Sequence, residues 1–573
     1  MISSVLVFHP TLNKLSPLNT LSPQRKDAKR YCLSLLAGMM LALAFPKFEM
    51  AWLGWLAPGL ILLAALSQPG KKVCAFGYVA GLAQYLVPFY WLLLIPKRAE
   101  AVLTWLVVGG FMALYTAAWT WVCCRLAPVS REKMPGNWAH LADQLAAASW
   151  RQRAFWAFAC AAAWVAMEMG IARILTGFPY SLGVSQFKIL PLIQIASLTG
   201  VYGVSFLIVW ISVSLVIAAM VAFRHPKLCR LWLGQLALPI GALAAVLIFG
   251  FKQLRHEHPP GRELKIALVQ PAIPQFVIWD PSEKTNRFNK LVQLSQTALA
   301  EQPDLLVWPE AALPDFMTRF NSTIHDAVTN LVLPHKTWMI FGANDFRARE
   351  NSGNPPKVDW FNSSFLIAPT GEPIARYHKR HLVMFGEYMP LSRWFPFLNK
   401  FRSIDRGFQA GDGPVPFHLT KPKVKISVLI CSEDVFPHLV REYVDDETDF
   451  LLNLTNDGWF GDSAAQWQHA VDALFRAIEN GLPLVRCTNN GLTCWIDSRG
   501  RLHAVYFPGT KDIYGAGFKM VKIPLLTDGE KRLPTFYHRH GDWFGWSCVV
   551  LTVIMLLRQF LQRTPKSRLQ SVR

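Results

Sequence analysis

The chain has 573 residues, a formal net charge of +20 and 52% hydrophobic residues, which is more than one ordinary domain. A mean hydropathy of +0.24 and 22 tryptophans exclude an ordinary soluble enzyme of this size. Basic residues outside the central region gather at the ends of apolar runs, as in membrane proteins. No basic motif of a known nucleic-acid reader is present, so nucleic acid is not expected as a partner.

Residues 1–30 read as a polar, basic tail ending in Arg25, Lys26, Asp27, Ala28, Lys29 and Arg30. Its apolar Val5-Leu6-Val7-Phe8 is too short for a signal-peptide core. Apolar runs follow near 31–46, 51–67, 73–95, 101–124, 154–175, 190–223 and 231–251. Most approach the ~20 residues that cross a bilayer as a helix. They predict seven spans within 31–255, and a later run at 543–557 predicts a further transmembrane helix at 541–560, about eight in all.

Loop charge gives the orientation. The tail, Lys71 with Lys72, the basic stretch from Arg125 to Arg153, and Arg224 to Arg230 are predicted to face the cytoplasm. Lys97 and Arg98 then face outward, against the rule. Seven crossings place the chain after residue 252 outside the cytoplasm, and the final helix returns a basic tail, 561–573, to the inside.

The region 264–525 has globular character. Strands are predicted at 264–270, 304–308, 338–341, 364–368, 426–430 and 450–454, and a helix from Ala464 to Asn480 closed by Gly481 and Pro483. Alternating strands and helices make this an α/β domain. The pattern leaves two arrangements open, a doubly wound sheet and a sandwich.

The ten cysteines form no disulfide framework, and no CxxC or HExxH spacing predicts a metal site. Most lie in apolar segments. Cys431 differs, because it ends the apolar run Ile426-Ser427-Val428-Leu429-Ile430 and is followed at once by Ser432, Glu433 and Asp434. A thiol at the carboxyl end of a core strand sits where open α/β sheets place reactive groups. Two other stretches share the layout, one ending in Glu310 and one in Lys379, with Glu387 soon after. A thiol is mostly protonated at neutral pH and needs a base to attack an acyl group, a role Glu310 suits. Lys379 suits the charge that steadies the oxyanion of the tetrahedral intermediate.

Glu, Lys and Cys at separate strand ends resemble the nitrilase, or carbon–nitrogen hydrolase, superfamily. The whole chain further resembles the bacterial apolipoprotein N-acyltransferases. The motifs are Trp279-Asp280, Trp308-Pro309-Glu310, His381-Leu382-Val383 running to Phe385-Gly386-Glu387, Asn456-Asp457-Gly458-Trp459-Phe460-Gly461-Asp462 and Thr488-Asn489-Asn490-Gly491. In the apolar half, Glu168, Thr176-Gly177-Phe178-Pro179 and Gly200-Val201-Tyr202-Gly203-Val204-Ser205-Phe206 add to it.

The resemblance implies an α-β-β-α sandwich in a catalytic domain facing the periplasm, carried by a multi-pass protein of the inner membrane. It makes Cys431 the nucleophile, Glu310 the general base and Lys379 the electrostatic stabiliser, supported by Glu387 and Glu433. Trp279, Trp459 and Ser432 match positions near substrate. Two residues depart from the pattern: Ser432 stands where the family usually has tyrosine, and Met384 where it often has proline. The implied reaction takes an acyl chain from a membrane phospholipid and passes it through a cysteine thioester to the N-terminal diacylglyceryl-cysteine of an apolipoprotein. No cofactor is implied. The alternatives are a membrane-tethered amidase or nitrilase-type hydrolase using water, and a weakly catalytic lipoprotein-binding scaffold.

The segment from Tyr388 to Pro422 mixes Trp394, Phe395, Phe397, Phe401 and Phe408 with Arg393, Lys400, Arg402 and Arg406. Long irregular segments of this kind serve as lids or binding loops, and aromatics among cations suit a lipid headgroup layer. Trp394 and Phe397 are therefore expected to meet lipid.

Overall fold

The computed structural model describes residues 23–561 apart from 96–97, 130–137, 175–179, 256–260, 279, 314–321, 350–357, 390–391, 393, 396, 398–406, 508 and 528. Its first half is helical: α1 (Pro23–Leu43), α2 (Ala57–Ala65), α3 (Gly70–Leu86), α4 (Arg98–Leu126), α5 (Trp138–Ala147), α6 (Trp150–Ile174), the short α7 (Leu190–Ile193) and α8 (Ala196–Thr199), α9 (Val201–Arg224) and α10 (Cys229–Arg255). The second half carries α11 (Gln275–Ile278), α12 (Lys284–Leu299), α13 (Ser322–Val332), α14 (Pro437–Arg441), α15 (Ala465–Asn480), α16 (Phe536–His540) and α17 (Trp543–Leu561). Among the described residues, twelve strands are interspersed: β1 (Arg262–Gln270), β2 (Leu305–Val307), β3 (Trp338–Ala348), β4 (Val358–Ile367), β5 (Pro373–His378), β6 (Pro416–Thr420), β7 (Lys423–Ile430), β8 (Phe450–Thr455), β9 (Leu484–Thr488), β10 (Cys494–Ile496), β11 (Leu502–His503) and β12 (Gly517–Leu525).

Among the described residues, five helices are long and apolar enough to cross a membrane: Glu100–Leu126 within α4, then α6, α9, α10 and α17. Two of the other apolar runs are interrupted. The run at 51–67 becomes a 3-10 turn, Ala51–Trp55, and the 9-residue α2. That at 73–95 becomes the 17-residue α3 and a second turn, Tyr90–Leu94. Within the expected tail, α1 begins at Pro23 and runs straight through the basic cluster. Arg30 explains why helix continues there. Its guanidinium is buried and donates to Ala64 O at 2.6 Å and Leu66 O at 3.1 Å, satisfying carbonyls that the end of α2 leaves open.

The second half is built on two six-stranded sheets, ordered β12-β1-β2-β3-β4-β5 and β11-β10-β9-β8-β7-β6. Each has three parallel strands at its centre, β1-β2-β3 and β7-β8-β9, flanked by antiparallel neighbours. Alternation along β1 shows the layering. Ile266 and Leu268 join the core shared with Ile426, Val428 and Leu454 of the second sheet. Ala267 and Val269 point the other way, into a core with Leu291 and Leu299 of α12 and Val328 of α13. The sheets touch where Cys487 Sγ meets Val269 O at 3.4 Å and Val307 O at 3.5 Å. A sandwich with helices outside both sheets is therefore the arrangement adopted.

The outer face of the second sheet is covered by α15, in which every residue except Trp467 is buried. Its far side rests on the helical half. Trp91 Nε1 donates to Gln468 Oε1 at 3.0 Å, and Val201 N, at the start of α9, donates to Glu479 Oε1 at 2.9 Å. Gly481 ends the helix in the left-handed region, at φ 69°, a conformation glycine adopts without a Cβ penalty.

Candidate active site

Three strand ends converge on one buried polar site. After β2 the chain turns at Trp308-Pro309 and brings Glu310 inward, 7% exposed. The strand beside it comes very close: a Cβ at Gly342 would lie 2.6 Å from Glu310 Cα, so glycine is required for β3 to pass. After β5 comes Lys379, 1% exposed, whose N–H extends the sheet by donating to Asn362 O at 2.8 Å. After β7 comes Cys431, half-buried, with φ 55°. A side chain in that left-handed region is uncommon, and the turn Cys431–Val435 starts there.

The Lys379 ammonium lies 2.9 Å from Glu387 Oε1 and 2.8 Å from Oε2. Asn362 Nδ2 donates to Glu310 Oε1 at 2.7 Å and to Glu387 Oε1 at 3.1 Å, so one amide spaces the two carboxylates. The Val383 N–H donates to Glu387 Oε2 at 2.9 Å. Glu433 works on the backbone. Its Oε2 accepts from Ile430 N at 2.8 Å, and its Oε1 accepts from Arg380 N at 2.8 Å and His381 N at 3.0 Å. The residue before the thiol is thereby tied to the residues after the lysine.

Burial pushes the Glu310 carboxyl above the usual carboxylate range; the Lys379 ammonium, the Asn362 amide and the Cys431 thiol pull it back, while Glu387 adds to the rise. Burial opposes the charge on Lys379, but Glu387, Cys431 and Glu310 outweigh it and hold the amine above its ordinary value. Burial, then Glu310, pushes the Cys431 thiol well up, against the pull of Lys379. The resting thiol is thus protonated and stands beside a carboxylate with its Oε2 buried and free of other hydrogen bonds. Such a site can move one proton from sulfur to Glu310 and stabilise a nearby oxyanion with Lys379.

The other expected positions are spread more widely. Ser432 is buried, and its hydroxyl has no hydrogen-bond partner. Trp459 is half-buried on the turn Asp457–Phe460 after β8. Trp394 and Phe397 are 74% and 60% exposed, so these two do not fill the enzyme core. Trp279 lies outside the described residues, as do Arg393, Lys400, Phe401, Arg402 and Arg406. The segment is anchored where it returns: Phe408 N donates to Glu387 O at 3.0 Å and Gly411 N to Lys379 O at 2.9 Å.

Sequence reasoning missed Asn362, although a polar run, Asn362-Ser363-Ser364, inside an apolar strand was the signal. It also missed a buried ion cluster behind the thiol. His469 lies with Nε2 2.8 Å from Asp434 Oδ1 and Nδ1 2.8 Å from Asp457 Oδ1. Arg486 pairs with Asp434 and lies 3.5 Å from Asp457 Oδ2.

Two family models match the chain: carbon-nitrogen hydrolase over residues 265–517 and the apolipoprotein N-acyltransferase N-terminal domain over residues 37–214. A protein of Geobacter metallireducens named apolipoprotein N-acyltransferase is 35% identical over 546 residues, covering 93% of this chain and 96% of the relative. The chain belongs to the apolipoprotein N-acyltransferase family. Proteins of the same name from Vibrio cholerae, 30% identical over 82% of this chain and 86% of the relative, and Rickettsia prowazekii, 28% identical over 83% and 89%, extend the likeness. Membership accounts for both halves at once, a nitrilase-like domain fused to apolar helices in an enzyme of lipoprotein N-acylation.

Proposed function

We propose that the protein moves an acyl chain from a membrane phospholipid, through a thioester on Cys431, to the α-amino group of an apolipoprotein's N-terminal diacylglyceryl-cysteine. The observation that carries this reading is the convergence of Cys431, Glu310 and Lys379 in one buried site. Glu310 takes the thiol proton as sulfur attacks the sn-1 ester carbonyl, and Lys379 faces the resulting oxyanion. The C–O bond then breaks, Glu310 returns its proton to the departing lysophospholipid, and the acyl group remains on sulfur. The lipoprotein amine attacks the thioester carbonyl and loses a proton through Glu310. Collapse gives an amide and the free thiol. The ester carries its own activation, so this sequence calls for no nucleotide or metal.

Glu387 and Glu433 hold the lysine and the two strand ends in register. Trp279, Trp459 and Ser432 are assigned to substrate binding by their match to the family's motifs, and Trp394 and Phe397 lead the acyl chain in from lipid. The chain crosses the bacterial inner membrane about eight times, seven of them within 31–255. Residues 264–525 face the periplasm, 541–560 return the chain, and the tails 1–30 and 561–573 lie in the cytoplasm. Basic loops support this orientation.

Incubation with acyl-labelled phospholipid, followed by mass spectrometry of the Cys431 peptide, tests the reading. A labelled thioester discharged by a diacylglyceryl lipopeptide amine is expected. A thioester cleared only by water assigns a hydrolase, and no adduct assigns a binding scaffold.

A further inference from the structure

Two adjacent residues of α15 hold two different bodies. Gln468 is 3% exposed and faces the helical half. Besides accepting from Trp91, its Nε2 donates to Pro46 O at 3.0 Å and Pro88 O at 3.3 Å. It thereby fastens the loops that follow α1 and α3. Neighbouring helix positions lie ~100° apart around the axis, and His469 accordingly faces another way. It reaches Asp434 in the turn that begins with Cys431, and Asp457 in the turn that carries Trp459.

We propose that Gln468 and His469 are positioning residues that seat the thiol turn and the Asp457–Phe460 turn against the membrane helices, so that the bundle admitting lipid also sets the attack geometry. This rests on the acyltransferase reading. A second linkage repeats the pattern two turns along: Arg476 Nη1 donates to Val435 O at 2.8 Å, Arg476 pairs with Glu479, and Glu479 receives the Val201 N–H of α9. An aromatic contact runs parallel, with Trp91 and Phe460 at 4.6 Å between ring centroids.

The charges suit a clamp. The groups facing His469 are Asp434 from the thiol turn, Asp457 from the turn after β8, Arg486 from β9, and Asp472 from α15 itself. Burial works against the imidazolium, but the two carboxylates outweigh it and raise its pKa to about 9. It therefore remains a cation between two anions at neutral pH. Asp457 is also among the charges that raise the Cys431 thiol, so removing the imidazolium exposes sulfur to a less compensated negative charge.

The test uses full-length protein in detergent, with His469→Gln and Gln468→Leu made separately. Cys431 alkylation by iodoacetamide is followed against pH, and Cys431 acylation by labelled phospholipid against lipid concentration. His469→Gln is expected to move the alkylation profile to higher pH and slow acylation by about tenfold to 100-fold, the scale of a small misplacement of reacting groups. Gln468→Leu is expected to leave alkylation unchanged while acylation requires more phospholipid. Should His469→Gln fail to fold, Gln468→Leu decides alone by its phospholipid dependence. Wild-type alkylation and wild-type lipid dependence in the folded variants, with only a lower melting temperature, overturn the proposal. Absence of lipid acylation in the wild-type protein, with the alkylation shift still present, instead overturns the acyltransferase reading and leaves the clamp standing.

Discussion

Lys379 and Glu387 form a two-point ion pair, with Nζ 2.9 Å from Oε1 and 2.8 Å from Oε2, and both side chains are almost wholly buried. Removing one partner of such a pair leaves a buried charge uncompensated, at a cost of ~3–5 kcal/mol. Glu387→Ala is expected to lower the melting temperature and abolish acyl transfer together. Lys379→Met removes the oxyanion's partner and is expected to slow transfer by ~100-fold or more. Thermal melts and a lipopeptide acylation assay check both, and an active, stable Glu387→Ala protein contradicts the arrangement.

Cys431→Ala is expected to remain folded in the membrane and transfer no acyl chain. Near-normal transfer to a lipopeptide acceptor by this variant would falsify the assignment of the thiol.

The base gives a pH signature. Burial holds the Glu310 carboxyl above its ordinary value, about 4.3 in model peptides. Only the carboxylate accepts the thiol proton, so single-turnover acylation of Cys431 should fall on acidification with a midpoint above that value. Glu310→Gln should be slow at every pH. A midpoint at or below the ordinary carboxylate value argues against Glu310.

His469 predicts an alkaline effect on stability. Its value of about 9 in the folded protein exceeds the ~6.5 of a free imidazole. Its stabilising contribution is therefore complete below ~6.5 and is lost as pH rises through about 9. Wild-type protein should lose melting temperature across that window, and His469→Gln should lose less. Equal losses in the two proteins contradict the clamp's charge.

The exposed pair Trp394 and Phe397 is expected to govern lipid entry. Replacing both with serine should weaken phospholipid use and raise the ratio of hydrolysis to transfer, because excluding water protects the thioester. Cys431 should still react with a soluble thiol reagent. An unchanged ratio and unchanged phospholipid dependence place the gate elsewhere.

Orientation is open to direct measurement. Reporter fusions after residue 260 should read periplasmic and those after residue 565 cytoplasmic. A cytoplasmic reading at the first site would put the lipoprotein substrate out of reach.

The central strands were legible because both of their faces are buried. Residues 264–270, 426–430 and 450–454 are nearly continuous apolar runs, and β1, β7 and β8 contain them. β6 was missed: it is an edge strand of 5 residues that starts at Pro416 and alternates buried with exposed. The charged stripe His469, Asp472, Arg476 and Glu479 sits at helical spacing and reads locally as a solvent face. It is buried only because α15 is pressed between the second sheet and the helical half, a contact that no local pattern encodes. Hydropathy likewise does not register where Pro58 and Pro88 fall inside an apolar stretch, so the runs at 51–67 and 73–95 form shorter helices and turns than it implies.

The positive φ of Cys431 sets the fold's preference against its chemistry. Glycine occupies that backbone region freely, whereas a residue with a β-carbon bears a cost on the order of 1–3 kcal/mol there. An inert Cys431→Gly protein should consequently outlast Cys431→Ala in a thermal melt, while neither moves an acyl chain. The reactive sulfur is thus held at a point where the scaffold would relax if it were gone, and stability engineering that ranked substitutions by melting temperature alone would discard it.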